Sequence, residues 1–317
     1  MATYKEIHGV KVQYRESDAT AIEGDVWYNA STGKLKMYSA LGSWASGGTM
    51  NTGASLITGT GSQTAGLSAG GEVGPPSTYG NSEEYNGSTW TAGGNLTSAR
   101  AQLASTGSAG SQTAALCFLG RTAPAAVALV EQYDGSTWTE IADCNTARRE
   151  SPGGSGTTTA CVAFAGGEAL AITESWNGTS WTEVADLNTG REYVADAGDS
   201  GTSALCIGGG PTVTDVVETW NGTSWTEVGD LNTARKILSG AGGTTAALAF
   251  GGGPPNVAIT EEWNGSSWAE VADLPTAKTD GAGTGTSSLA LSFGGGGPVD
   301  TTEEWSMAAA VQTVAFD

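Results

Sequence analysis

Glu218-Thr219-Trp220-Asn221-Gly222-Thr223-Ser224-Trp225 is an eight-residue unit that the chain repeats. Glu83 to Trp90, Glu131 to Trp138, Glu174 to Trp181 and Glu261 to Trp268 are further copies, and Glu303-Glu304-Trp305 begins a sixth that stops. The first aromatics are Tyr85, Tyr133, Trp176, Trp220, Trp263 and Trp305, spaced 48, 43, 44, 43 and 42 residues apart. Asn-Gly or Asp-Gly supplies the positive φ of a tight hairpin turn at low cost. The aromatic before the turn and the Trp after it then sit on neighbouring antiparallel strands, where they fill the space between packed sheets.

Working outward, an apolar strand ending in glycine precedes each hairpin. These run from Leu116 to Gly120, Cys161 to Gly167, Leu205 to Gly210, Leu248 to Gly253 and Leu289 to Gly297, with a weaker copy from Leu67 to Gly71. A Gly/Ser/Thr stretch before each, such as Leu238 to Thr245, reads as an innermost strand of small side chains. Four strands at this period imply a propeller blade, and the missing 3.6-residue apolar period excludes a helical solenoid. The Gly-Gly strand, the Glu-x-aromatic-Asn/Asp strand and the following Trp are similar to the kelch motif, over roughly residues 34–305. The fold expected from that resemblance is all-β, a kelch-like β-propeller of four-stranded antiparallel blades with an N-terminal strand or hairpin extension.

The second-strand tryptophans are Trp44, Trp90, Trp138, Trp181, Trp225 and Trp268. Trp44 thus has no upstream partner and Trp305 no downstream one. This offset predicts six blades, closed by an N-terminal strand at Trp44 joining the last blade at Trp305, which removes the exposed edge. A hairpin from Lys34 through Tyr38 to Trp44, or a tail strand over Val311 to Phe316, would instead make room for a seventh.

Two charged series run in register. Glu83, Glu131, Glu174, Glu218, Glu261 and Glu303 are the acidic members; Arg100, Arg148, Arg191, Arg235 and Lys278 are the basic ones. They read as pairs stitching each blade to the next, which fix register more than they add net stability; the competing reading is a charged ring that grips a ligand. Asp143, Asp186, Asp230 and Asp273 read as turn residues bonded to their own backbone. Calcium is the minority alternative at these aspartates, and it requires several oxygens at one point. No cofactor or metal is otherwise expected.

Composition bounds the function. The 317 residues include 49 glycines and carry a formal charge of -20. So acidic a surface opposes nucleic-acid binding, and no apolar run is long enough for membrane insertion. Met1 to Glu16 lacks the apolar core of a secretory signal, and Cys117, Cys144, Cys161 and Cys206 lack metal-type spacing. Synthesis in a reducing host cytoplasm without a signal peptide is the expectation. Copper chemistry of the galactose-oxidase kind needs histidines, and His8 is alone. The sialidase Asp-box needs an Asp where Trp176, Trp220 or Trp263 stands. A Ser-His-Asp triad would have to use His8, and no carboxylate pair stands out for glycoside hydrolysis. The chain reads as no enzyme.

Residues 24–38, Gly-Asp-Val-Trp-Tyr-Asn-Ala-Ser-Thr-Gly-Lys-Leu-Lys-Met-Tyr, resemble a segment common in phage tail-fibre and virion proteins. The resemblance implies a non-enzymatic virion structural protein of tail or capsid surface. Residues 1–33 would dock or cap, and residues 34–317 would form the propeller. Its partners would be other virion proteins, copies of itself in the particle, and a host surface glycan or protein. The alternatives are a tail-associated depolymerase and an intracellular kelch adaptor.

Overall fold

The computed structural model describes residues 12–18, 25–74, 77–297 and 299–313. His8 and the tail residues Val314 to Phe316 lie outside them. The chain divides into two compact units: Met1–Ser43 with Ser306–Asp317, and Trp44–Trp305. The expected boundary at residue 33 falls inside the first unit.

The first unit contains a parallel pair, Val12–Arg15 with Val26–Asn29, and an antiparallel pairing of Val26–Asn29 with the Lys34–Ser46 strand. Trp27 is fully buried. Its Nε1 donates to Asp18 Oδ1 at 3.1 Å, and the Arg15 guanidinium lies 5.1 Å from its ring centroid while pairing with Asp25 at 2.7 Å. Lys34–Ser46 is one 13-residue strand, so residues 34–44 make no hairpin and no seventh sheet. No Asn-Gly or Asp-Gly pair stands between Lys34 and Trp44 to turn the chain, and the strand runs on through Gly42.

The second unit is built from four-stranded antiparallel sheets, as the repeat predicts. Sheet I holds Thr58–Ser62, Ala65–Ala69, Ser82–Tyr85 and Trp90–Ala92. Sheet II holds Ala104–Ser105, Ala115–Phe118, Val130–Tyr133 and Trp138–Glu140; sheet III, Gly153–Gly156, Cys161–Phe164, Thr173–Trp176 and Trp181–Glu183. Sheet IV holds Ala195–Ser200, Ser203–Gly209, Thr214–Trp220 and Trp225–Glu227; sheet V, Ser239–Gly243, Ala246–Phe250, Thr260–Trp263 and Trp268–Glu270. Sheet VI orders Ala282–Gly285, Leu289–Phe293, then the start of Thr302–Thr313, then the end of Lys34–Ser46.

Each third strand buries its aromatic, and each fourth strand buries its Trp except in sheet VI, where Trp44 is half-buried. Their rings sit 4.8 Å apart in Tyr133–Trp138, 4.9 Å in Tyr85–Trp90, and 5.4 Å in Trp176–Trp181, Trp220–Trp225 and Trp263–Trp268. Trp44 and Trp305 make the same contact at 5.4 Å, although they come from opposite ends of the unit. The fourth-strand Trp also packs on the preceding sheet. Trp225 meets Phe164 at 4.8 Å, Trp181 meets Phe118 at 5.3 Å, Trp44 meets Phe250 at 4.9 Å and Trp90 meets Phe293 at 5.0 Å. The core is therefore a series of slabs between sheets. One of them, with Ile57, Tyr85 and Trp90 against Ala282, Leu291 and Phe293, lies between sheets I and VI.

The hairpin turn is a side-chain-supported one. In the unit quoted above, Asn221 Oδ1 accepts the Thr223 and Ser224 N–H groups at 2.9 and 3.0 Å, and Gly222 takes φ +91°. The outer edges end after three residues with exposed Thr and Glu, such as Thr226 and Glu227. Short, charged edges discourage pairing with another chain.

Candidate functional site

The repeated charges come together, and in a way that removes them from solvent. Arg191 follows the last strand of sheet III. Its Nη2 reaches Glu218 Oε1 in sheet IV at 2.9 Å, and its Nη1 donates to the carbonyls of Gly208 and Val216 at 3.0 and 2.6 Å. Arg100–Glu131, Arg148–Glu174 and Arg235–Glu261 repeat the arrangement at 2.9 to 3.0 Å, and Lys278 pairs with Glu303. The four arginine side chains are at most 2% exposed. Burial pulls the Arg148, Arg235 and Lys278 cations down in pKa, and the carboxylate beside each opposes that. Groups this deep fix one sheet against the next. Glu83 meets no cation among the described residues; Asn51 and Thr52 N–H groups hold it at 2.7 and 2.9 Å, because Ala54 stands where the other repeats have Arg or Lys.

Three of the four recurring aspartates cap backbone. Asp143, Asp186 and Asp273 accept the N–H of Val130, Thr173 and Thr260, each opening a third strand, at 3.1 to 3.2 Å. Those partners lie 13 residues back in the chain, so the expected local turn bond is replaced by one across the hairpin. Among the described residues no group of three His, Cys, Asp or Glu is placed to hold a metal ion. The cysteines are free and buried, and burial pushes the Cys206 thiol up to about 12.

The variation in the chain concentrates elsewhere, just before each first strand. Leu56, Gln102, Glu150, Tyr193, Ile237 and Asp280 share no chemistry but share a conformation, with φ between +53° and +67°. For non-glycine residues this costs roughly 1–2 kcal/mol each. Backbone hydrogen bonds hold them: Gln102 N donates to Leu56 O, Leu56 N to Asp280 O, Asp280 N to Ile237 O, Ile237 N to Tyr193 O and Tyr193 N to Glu150 O, at 2.7 to 3.3 Å. Strain maintained in this way is a mark of sites under functional demand.

Leu56, Ile237 and Asp280 of this series line a cavity of about 60 Å³, together with residues at or just before the first strand of every sheet. Leu56, Leu103, Val194 and Ile237 are among its aliphatic lining residues, and Asp196 and Asp280 also line it. Burial pushes Asp196 up to about 7 against the Gly154 N–H that it accepts at 3.0 Å, and burial also raises Asp280. At the rim, the Lys236 ammonium sits 5.6 Å from the Tyr193 ring centroid, and Gln102 Nε2 reaches the Tyr193 hydroxyl at 3.4 Å. Burial, then the nearby Glu150, raises Glu192 and Tyr193.

Asp196 breaks a rule of the scaffold. Strand register puts Gly59, Ser105, Gly154, Gly240 and Gly283 at its position in the other sheets. A Cβ on Gly154, Gly240 or Gly283 would come within 2.4 Å of a backbone carbonyl oxygen of the preceding sheet. At the other end of the first strands, the 3-10 turn Gly107–Ala109 lies against the first strands of sheets I, III, IV, V and VI. Ser108 Oγ accepts the Gly242 N–H there at 3.2 Å.

Neither a scan against protein-family models nor a search of curated proteins returns a match to this chain. The charge series was legible from its register. The ring of strained residues was not, since its members differ in type and only the offset from the Arg/Lys position marks them.

Proposed function

We propose that the six sheets are the blades of a closed, six-bladed kelch-like propeller, and that the chain is a non-enzymatic binding module of a phage particle, at its tail or capsid surface. Closure is supported by the equivalence of Trp44–Trp305 to the other five ring pairs, and by the packing of Trp90 on Phe293. The observation that carries the binding reading is the division of labour among polar groups. The repeated charges are spent inside the scaffold, while one end of the first strands bears residues that differ from sheet to sheet around a cavity.

The virion assignment rests on the N-terminal unit. Trp27 and Asn29 of the phage-like segment are both buried, and Asp18 accepts from Trp27 Nε1 and Asn29 Nδ2. These residues thus build a small docking element, with Tyr14 exposed on its surface and stacked on Tyr28 at 5.7 Å. Mass spectrometry of purified particles tests the reading. The protein is expected in stoichiometric amount, and incubation with host envelope polysaccharide is expected to release no sugar. Expression in uninfected cells with absence from particles contradicts the virion assignment; sugar release contradicts the non-enzymatic one.

A further inference from the structure

The turn that joins first to second strand opens on a hydroxyl in five of the sheets: Ser62, Ser111, Thr157, Ser200 and Thr286. Sheet V has Gly243 there instead. The neighbouring sheet departs from the repeat at the same place. In sheet IV a bulge between Gly198 and Ser200 inserts Asp199, and a bulge re-aims the side chain that it adds. Asp199 Oδ2 accepts the Thr244 N–H and the Thr244 hydroxyl, each at 2.9 Å, so the carboxylate crosses from sheet IV to sheet V. A Cβ on Gly243 would collide with it. The two departures are therefore one feature. Asp199 is exposed, and its Oδ1 accepts no hydrogen bond from a described residue.

Asp199 lines a cavity of about 320 Å³, at the opposite end of the first strands from the strained residues. Sheet II leaves room for it. Its first strand stops after Ala104–Ser105, and the chain turns off as Gly107–Ala109, tied to sheet I where Thr60 Oγ1 donates to the Gly107 carbonyl at 2.7 Å. The cavity is the space between this turn and sheets IV, V and VI. Its lining groups meet over the Gly242–Gly243 pair. The Gly242 N–H donates to Ser108 Oγ, a Cβ on Gly242 would lie 3.2 Å from Ser287 N, and Asp199 covers Gly243.

The lining decides the class of ligand. It offers one open carboxylate oxygen, the hydroxyls of Ser108, Thr286 and Ser287, and glycine backbone. Among the described residues that line it there is no Lys or Arg to hold an anion, and Ala109 and Ala246 give too little apolar surface for an aliphatic chain. A neutral sugar ring matches this set, because its adjacent hydroxyls each donate and accept. We propose that the cavity binds a neutral hexose unit of a glycan, with Asp199 Oδ1 accepting from two neighbouring ring hydroxyls and Ser108 and Ser287 meeting others. About 320 Å³ falls within the range of small-molecule sites. The inference rests on the binding-module reading and gives that module a ligand class.

The full chain, isotope-labelled, is titrated by NMR with the methyl α-glycosides of glucose, galactose and mannose, and with glucuronic acid. Saturable binding of at least one neutral glycoside is expected, with shifts at Asp199, Gly242, Gly243 and Ser287, and none for glucuronic acid. Asp199→Ala is expected to weaken binding by more than about tenfold. Gly243→Ser, which crowds the carboxylate, is expected to do the same, with melting temperatures confirming that both variants fold. Three results overturn the proposal: no saturable binding of any of the glycosides, binding unchanged in Asp199→Ala, or shifts confined to the Tyr193 end of the strands. Glucuronic acid binding as tightly as the neutral glycosides overturns the neutral class. If the protein is absent from particles yet these titrations succeed, the virion reading falls and the sugar site stands; if it is present and they fail, the reverse holds.

Discussion

The indole Nε1 of Trp44 donates to the hydroxyl of Thr260 at 3.0 Å, the same bond that Trp225 makes to Thr173 and Trp90 makes to Thr302, each at 2.9 Å. In every case a fourth-strand Trp reaches the start of the third strand of the preceding sheet. Trp138 does so with Ser82 at 3.3 Å. Trp181 and Trp268 do not; their buried Nε1 groups have no partner among the described residues, because Val130 and Val217 stand where the hydroxyl would be.

That alternation gives a stability prediction. Val130→Thr and Val217→Thr each supply an acceptor of nearly the same shape, and each is expected to stabilise by about 1 kcal/mol. Thr173→Val is expected to cost about the same or more by orphaning Trp225. Urea melts of the three variants check this, and a gain on Thr173→Val would contradict it.

The buried pairs predict larger effects. Arg235→Ala leaves the Glu261 carboxylate at 0% exposure with only the N–H donors of Asn232 and Thr233, and is expected to cost about 3–5 kcal/mol. Binding through the cavity end would be unchanged in the folded fraction. Unchanged melting with lost binding would instead make these charges a ligand site.

Sheet VI offers the reverse change. Lys278 reaches Glu303 but makes none of the carbonyl bonds that Arg235 makes to Gly251 and Ile259 at 2.8 and 2.9 Å. Lys278→Arg would bring the same fork to the corresponding carbonyls of Gly294 and Thr301, and is expected to stabilise by about 1 kcal/mol. Calorimetric melting of the variant reads it directly.

Asp196 predicts a pH dependence. A carboxyl raised to about 7 on folding contributes fully below its unfolded value, near 4, and that contribution fades as pH climbs through about 7. Stability is therefore expected to fall between about pH 4 and pH 8 through this group, and Asp196→Asn to flatten the fall. Melting temperatures of both proteins across that range test it; parallel curves would contradict it.

How much of this the sequence carried follows from what repeats. The aromatic pairs, the Arg–Glu register and the offset between Trp44 and Trp305 repeat as residue types, so they were legible. The strained residues repeat as a backbone shape that Leu56, Tyr193 and Ile237 adopt against their own preference, which no residue pattern discloses. Asp196 was hidden for a related reason: strand register alone reveals that it occupies a glycine position. The Lys34–Trp44 hairpin failed because Tyr38 and Trp44 imitate a repeat pair without the Asn-Gly turn between them.

The closed ring is tested most directly by a cross-link. Gly47 N donates to Thr302 O at 2.9 Å, joining the first and last strands of the second unit. In the variant Gly47→Cys with Thr302→Cys, mild oxidation of the native protein is expected to form an internal disulfide in the monomer, seen as faster migration on a non-reducing denaturing gel. The four native thiols are buried and should not compete. Disulfide-linked dimers with no internal product, or no cross-link in a variant that remains folded, would contradict closure.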